Sequence, residues 1–257
     1  MGFLKMKRLR RGQPLSFRQI LPNMVTSGNL LCGMFSIILS VHEHYVPAAW
    51  LIFFAVVFDG LDGKVARSLG GASQFGLEYD SLADLVSFGV APATMTYMAS
   101  FAFGDDPMYF GGVAAAIVAC YFTLCVALRL ARFNVAVAHV PGPFQGLPSP
   151  AGGLFVASFI LADIPSIPVL MIPVLLITGS LMISSLPYSS IKKITGKTAD
   201  RKRCLLVLTV SVAIFAILKS SAPLVFFSAY ILSGALRCNW SEWLLLPDAR
   251  EPIENTH

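Results

Sequence analysis

Charged side chains are scarce in this chain: Asp, Glu, Lys and Arg together make up 13% of its 257 residues. A soluble globular domain carries about 25%, so the scarcity argues against a soluble fold. Hydrophobic residues make up 56%, and apolar runs of about 20 residues, long enough to cross a bilayer, recur along the chain. The alternating segments of about 10 residues that a membrane β-barrel needs are missing. The sequence therefore predicts an all-α, polytopic membrane helix bundle.

Cysteine and histidine offer little chemistry. The five cysteines are odd in number and form no C-x-x-C pair, so we expect neither a disulfide framework nor a zinc site and interpret them as small apolar side chains. The four histidines show no ligand spacing with the acidic residues. No P-loop pattern occurs. The chemistry of the chain must therefore depend on other residues.

The apolar runs predict about eight transmembrane helices. They cover about residues 22–41, 46–66, 81–103, 110–132, 149–164, 166–187, 204–219 and 222–238, and Pro22 suits the first turn of the first helix. We expect a basic amphipathic juxtamembrane segment at 1–21, a six-helix core at 22–187, two additional transmembrane helices with a basic loop at 188–238, and a tail at 239–257. Segment 1–21 either lies on an anionic leaflet or is a disordered tail that serves only topology.

The basic residues lie almost entirely on one side of the predicted bundle. Eight spans put both termini on the same side, and of the 19 Lys and Arg residues only Lys219 falls on the other side. Because basic loops remain in the cytoplasm, we expect both termini to be cytoplasmic and the protein to lie in the cell (inner) membrane.

The first predicted helix carries a polar stripe. Asn23, Thr26 and Asn29 follow one another at intervals of three residues, so they share one helix face. The stripe either makes hydrogen bonds between helices or forms the polar edge of a substrate site, and the spacing leaves both interpretations open.

Four aspartates interrupt the apolar sequence where the second predicted helix ends and the third begins. Asp59 and Asp62 are three residues apart and Asp80 and Asp84 are four apart, so each pair shares a helix face. Glycines between the pairs suit a chain reversal that brings the two faces together. Four converging carboxylates near a membrane are costly unless a cation lies among them. Oxygen ligands suit Mg²⁺, Mn²⁺ or Ca²⁺.

Such a site has two interpretations. Two divalent ions held by shared carboxylates can bind a pyrophosphate and stabilise its leaving phosphate, with Arg67 adding a contact to phosphate and one carboxylate acting as a general base. Alternatively, carboxylates within a membrane mark the path of a cation transporter. Clustering of the four aspartates at one leaflet argues against such a path.

The region 59–84 fits the pattern D-x2-D-G-x2-A-R-x8-G-x3-D-x3-D at every fixed position, with Asp59, Asp62, Gly63, Ala66, Arg67, Gly76, Asp80 and Asp84. It resembles the signature of the CDP-alcohol phosphotransferase family. Three further stretches, 21–30, 129–134 and 146–153, are similar to the branch of bacterial and archaeal CDP-diacylglycerol–serine O-phosphatidyltransferases. The resemblance covers about residues 20–187, so it implies that the six-helix core is the family's core.

The resemblance implies a role for each matching residue. Asp59, Asp62 and Asp80 would bind two divalent ions, Mn²⁺ or Mg²⁺ with Ca²⁺ as an alternative occupant, and Asp84 would contact them and act as the base. The residues expected beside the CDP and phosphate groups are Asn23, Thr26, Gly63, Ala66, Arg67 and Gly76. The serine hydroxyl would attack the β-phosphate of CDP-diacylglycerol, giving phosphatidylserine and CMP. The resemblance also implies a homodimer.

The acceptor is less closely specified than the donor. Arg129 and Arg132 either anchor the end of the fourth helix on the basic side or hold the serine carboxylate or a phosphate. Glycerol 3-phosphate, inositol phosphate and choline are alternative acceptors. A phosphorylated acceptor would favour more basic residues beside the site than these two arginines, which supports a small acceptor such as serine.

Overall fold

The computed structural model describes residues 17–70, 73–101, 110–137, 146–164, 167–188 and 200–236. Its regular elements within these residues are helices. They are α1 Phe17–Val41, α2 Tyr45–Ser68, α3 Gln74–Asp84, a π-helical segment Leu85–Val90, α4 Ala91–Phe101, α5 Phe110–Val137, α6 Ser149–Leu161, α7 Pro168–Ile183, α8 Arg201–Leu218, a 3₁₀ turn Lys219–Ser221 and α9 Ala222–Ala235. The predicted all-α class is confirmed for the described residues.

Four helical stretches are long and apolar enough to cross a bilayer: Ile20–Val41, Tyr45–Ser68, Gly112–Val135 and Lys202–Ala235. The protein is therefore a helical membrane protein. Helices α6 and α7 are also apolar but shorter. The 13 residues of α6 extend about 20 Å at 1.5 Å per residue, less than the hydrocarbon thickness of about 30 Å. The count of eight spans stays a prediction.

Two helices begin before the spans that the apolar runs predict. Helix α1 begins at Phe17, so Pro22 lies inside the helix rather than in its first turn. Proline removes only one intrahelical hydrogen bond there, close to the helix start, and the long apolar helix tolerates it. The third predicted helix begins at Gln74 instead of 81, because Ser73 caps it by accepting a hydrogen bond from the Gly76 N–H at 3.0 Å.

Helix α6 lies at the centre of the bundle. One buried cluster joins it to α5 and α7 through Phe122, Val156 and Met171, and a second joins it to α2 and α4 through Ile52 and Met95. Close approach depends on glycine: a Cβ at Gly153 would lie 3.0 Å from the backbone of the π-helical segment. Small residues at helix contacts let backbones approach in membrane proteins.

The last two helices differ in their packing. Helix α9 packs against α6, whereas α8 is exposed along most of its length. Several predicted regions lie wholly or partly outside the described residues: residues 1–16 of the basic segment 1–21, residues 189–199 of the region 188–238 with its basic loop, and the tail 239–257. The division of the chain into regions stays a prediction.

Candidate active site

The turn between α2 and α3 brings the two halves of the aspartate motif together. Gly70 adopts a φ of +107° in this turn, a backbone conformation that favours glycine. Asp59 and Asp62 on α2 then lie beside Asp80 on α3, and one carboxylate oxygen from each of the three lies within 4.8 Å of the others. The predicted convergence of these three residues is therefore present, and we call them the carboxylate cluster.

The carboxylate cluster has the donors and the electrostatics that suit a divalent cation. One Asp62 oxygen accepts a hydrogen bond from Thr26 Oγ1 at 2.7 Å, while Asp80 Oδ1 is buried and has no hydrogen-bond partner among the described residues. Burial, followed by the negative charges of Asp62 and Asp59, raises the pKa of the Asp80 carboxyl to about 7. An all-oxygen set of acidic ligands that repel one another fits Mg²⁺, Mn²⁺ or Ca²⁺.

Asp84, the last residue of α3, lies near the carboxylate cluster but is not one of its three residues. Its side chain is 8% exposed, and its Oδ1 accepts a hydrogen bond from Asn29 Nδ2 at 2.9 Å. The charges of Asp59, Asp80 and Asp62 all act on it. Asp84 is therefore held on the buried side of the site, where a proton acceptor can be shielded from water.

The polar stripe of α1 faces the aspartates. Thr26 bonds to Asp62, and Asn29 bonds to Asp84. Asn23 lies against α3, since its Oδ1 would be 3.2 Å from a Cβ placed on Gly76. The stripe therefore makes hydrogen bonds between helices, and both of them go to aspartates of the motif. Its interpretation as the polar edge of a substrate site stays a prediction. Asn29 was recognised as a stripe residue from its spacing, but its contact with Asp84 was not predicted.

The remaining motif residues of α2 lie towards its C-terminal end. Gly63 and Arg67 are neighbours on one face, since a Cβ on Gly63 would lie 3.5 Å from the Arg67 guanidinium. Arg67 is exposed and Ala66 is buried. The small residue at 63 thus leaves room beside the guanidinium, so a flat or charged group can approach the helix there.

The two arginines of α5 occupy different environments. Arg129 is partly buried, donates a hydrogen bond from Nη1 to Ser149 Oγ at the start of α6, and has a buried Nε without a partner among the described residues. The charges of Asp84 and Asp59 act on it, as does Tyr230 of α9. Arg132 is exposed one turn later. Of the two arginines predicted to contact the acceptor substrate, Arg129 is the one on which the charge of Asp84 acts.

Three features beside the site were not predicted from the sequence. These are the π-helical segment that follows Asp84, the Ser149 contact and the proximity of Tyr230. A π-helical turn within a helix is rare and frequently accompanies a functional site, but no pattern in the sequence signals it. Ser149 lies in a stretch that supports the family resemblance, so that stretch was the available signal for it.

Residues 19–187 match the family model described as CDP-alcohol phosphatidyltransferase. Similar proteins named CDP-diacylglycerol–serine O-phosphatidyltransferase occur in Helicobacter pylori (40% identical, covering 58% of this chain and 61% of that protein) and Methanocaldococcus jannaschii (42%, covering 56% and 63%). A third, from Bacillus subtilis, is 37% identical and covers 52% and 71%. The matched region thus spans less than two thirds of the first two relatives.

The chain is also similar to the solved structure of Mycobacterium tuberculosis phosphatidylinositol phosphate synthase with CDP-DAG bound. That protein is 21% identical, and the match covers 63% of this chain and 80% of that chain, with a TM-score of 0.47.

Proposed function

The chain belongs to the CDP-alcohol phosphatidyltransferase family, and we propose that it transfers the phosphatidyl group of CDP-diacylglycerol to the hydroxyl of L-serine, giving phosphatidylserine and CMP. The observation that carries the proposal is the carboxylate cluster, in which Asp59, Asp62 and Asp80 lie within 4.8 Å of one another. The choice of serine is supported by the names of the relatives from three organisms.

The cluster would hold two divalent ions, Mn²⁺ or Mg²⁺, which when bound supply positive charge to the pyrophosphate and to the leaving phosphate. Some of these side chains are already held in place without an ion. Thr26 fixes one oxygen of Asp62, and Arg67 beside Gly63 offers a guanidinium to the CDP phosphates. Asn23, Ala66 and Gly76 would line the nucleotide side of the pocket.

In the reaction, the serine hydroxyl oxygen forms a bond to the β-phosphorus of CDP-diacylglycerol. The bond from this phosphorus to the oxygen that bridges it to CMP breaks, and CMP leaves. The hydroxyl proton passes to Asp84, which is placed to take it as general base. Asp84 is buried beside the cluster rather than within it, which suits a carboxylate that receives a proton.

Arg129 would hold the serine carboxylate. Its guanidinium lies partly buried in the field of Asp84, and its Nε has no partner among the described residues. A guanidinium in this state can bind a carboxylate strongly, because the charged hydrogen bond forms away from bulk water. Arg132 is exposed at the same helix end, and we assign it to anchoring on the basic side.

The organisation of the protein in the membrane follows from the same proposal. The site would face the cytoplasm, where serine is soluble, and both termini would lie on that side. The acyl chains would stay in the bilayer while the headgroup reacts. We further propose a six-helix catalytic core at 22–187 and a homodimer, on the basis of the family resemblance.

A CMP-release assay tests the proposal. Purified protein in detergent receives CDP-diacylglycerol with Mn²⁺ or Mg²⁺, and serine is compared with glycerol 3-phosphate, inositol phosphate and choline. We expect CMP release that needs both serine and metal. Release with another acceptor would support CDP-diacylglycerol as the donor and refute serine as the acceptor. If folded protein releases no CMP with any acceptor but carries Mn²⁺ into proteoliposomes, the protein is a cation transporter instead.

A further inference from the structure

A buried amide faces the side chain that we assign as the base. Asn29 of α1 is 0% exposed, and its Nδ2 donates a hydrogen bond to Asp84 Oδ1 at 2.9 Å. The amide thus presents its NH₂ group, a hydrogen-bond donor, to an oxygen of this carboxyl group. The amide Oδ1 has no hydrogen-bond partner among the described residues, so within that part of the chain the side chain bonds to Asp84 alone.

The backbone of Asn29 is tied to the same region. Its carbonyl oxygen accepts a hydrogen bond from Ser87 Oγ at 2.9 Å, and Ser87 lies in the π-helical segment directly after Asp84. Gly33 makes this approach possible, since a Cβ there would lie 2.5 Å from Ser87 Oγ and 2.8 Å from Ser87 Cα. Two hydrogen bonds and one close backbone contact therefore hold α1 against the end of α3, which carries Asp84, and against the π-helical segment that follows it.

We propose that Asn29 is a positioning residue that occupies Asp84 Oδ1 and thereby leaves Oδ2 as the oxygen that receives the acceptor proton. The inference rests on the proposed function of Asp84 as base. A carboxylate can rotate about its last side-chain bond, so without a donor on Oδ1 either oxygen can turn away from the acceptor. A fixed base raises the rate because its correct orientation no longer has to be found during the reaction.

The decisive variant is Asn29→Leu, which keeps the volume of the side chain but removes the donor. Asn29→Ala serves as a second variant. Ser36→Ala is the matched control, because Ser36 is also fully buried on α1 and donates to a neighbouring helix, at Ala48 O, 2.9 Å away. All variants are compared with wild type for kcat, for the KM of each substrate, and for the unfolding midpoint Tm.

We expect Asn29→Leu to lower kcat by about tenfold to a hundredfold, the size of a lost hydrogen bond to a charged group. Both KM values should stay within about twofold, because the amide does not touch either substrate. Ser36→Ala should keep the wild-type kcat. A purely structural role would lower Tm without this selective loss of kcat.

Three results overturn the inference while leaving the proposed function intact. The first is an Asn29→Leu enzyme with wild-type kcat. The second is an equal loss of kcat in Ser36→Ala. The third is a raised KM for CDP-diacylglycerol at unchanged kcat, which would make the amide a donor-binding group. Absence of CMP release by wild type would instead refute the proposed function.

The contact itself has a readout that does not need activity. The free energies of unfolding of Asn29→Leu, Asp84→Ala and the double variant form a thermodynamic cycle, and the two single effects should fail to add if the amide and carboxylate are bonded in the protein. Additive effects would refute the contact and, with it, the positioning role.

Discussion

The metal-free protein should become less stable as the pH rises. Burial and the charges of Asp62 and Asp59 raise the pKa of the Asp80 carboxyl from 3.8 to about 7. Between these two values the metal-free folded protein keeps a proton that the unfolded chain has already released. The folded state therefore binds more protons, and the free energy of unfolding falls as pH rises through this window.

The pKa difference sets the size of the effect. Between pH 5 and pH 8 it corresponds to at most about 2.6 kcal/mol of lost stability. Asp80 is only partly buried, and solvent screens its charge, so we expect about half of this, about 1.3 kcal/mol. For a protein of this size, such a change lowers Tm by about 3–5 °C.

The assay is thermal unfolding in detergent with EDTA from pH 5 to pH 8. Wild-type Tm should fall across this range, and Asp80→Asn should give a flatter profile with a higher Tm at pH 8. Adding Mn²⁺ at about 100 times its Kd should restore about 2.7 kcal/mol to wild type, most strongly at high pH, because the ion needs the deprotonated carboxylate.

A matched control is Asp200→Asn. Asp200 caps α8 and pairs with Arg203 at 3.2 Å, away from the site, so the pH profile of this variant should follow that of wild type. The reasoning is refuted if metal-free wild type is equally stable or more stable at pH 8 than at pH 5. It is also refuted if Asp80→Asn leaves the slope unchanged.

Three further predictions concern the site and the helix contact beside it. Asp84→Asn should lower kcat at least about 10²-fold, as expected for loss of a general base, with nucleotide binding retained in equilibrium titration; near-normal turnover would exclude it as the base. Arg129→Ala should raise the serine KM by about tenfold or more, whereas exposed Arg132→Ala should change it less than about twofold in the same kinetic assay; the reverse order would contradict our assignment. Gly33→Ala should destabilise the protein by about 1–3 kcal/mol, since its Cβ overlaps the π-helical segment. Gly60→Ala meets no atom within 4 Å and replaces a glycine inside a helix, so it should leave Tm unchanged or raise it slightly; equal Tm values for the two variants would refute the close contact.

Most helix positions were predictable because transmembrane helices follow from local composition. The apolar runs predicted both ends of α2 to within two residues. They also predicted the first residues of α5, α6 and α9. The errors occurred where a local feature outweighs hydrophobicity. Ser73 caps α3 before the apolar sequence starts, and proline is accepted inside α1. Whether each short helix crosses the bilayer is not determined by local composition, because tilt and packing set its reach.

The residue types and spacings within each segment were enough to predict the chemistry of the site. Spacings of three and four residues fix which side chains share a helix face, since the α-helical period is local. The aspartate pairs and the polar stripe of α1 could therefore each be assigned to a helix face without knowledge of the fold. The identity of the ligands, all oxygen, also predicted the class of ion.

Which of these faces meet, and which residues lie side by side, depends on how the helices pack. Asn29 bonds to a carboxylate 55 positions away, and Arg129 turns to Ser149 and Tyr230 on two other helices, while Arg132, one turn along, remains exposed. Such pairings depend on the rotation and separation of packed helices. The rotation and separation of the helices are set by the whole core, including the glycines at positions 33 and 153 that allow close approach. The periodicity within one segment does not predict them.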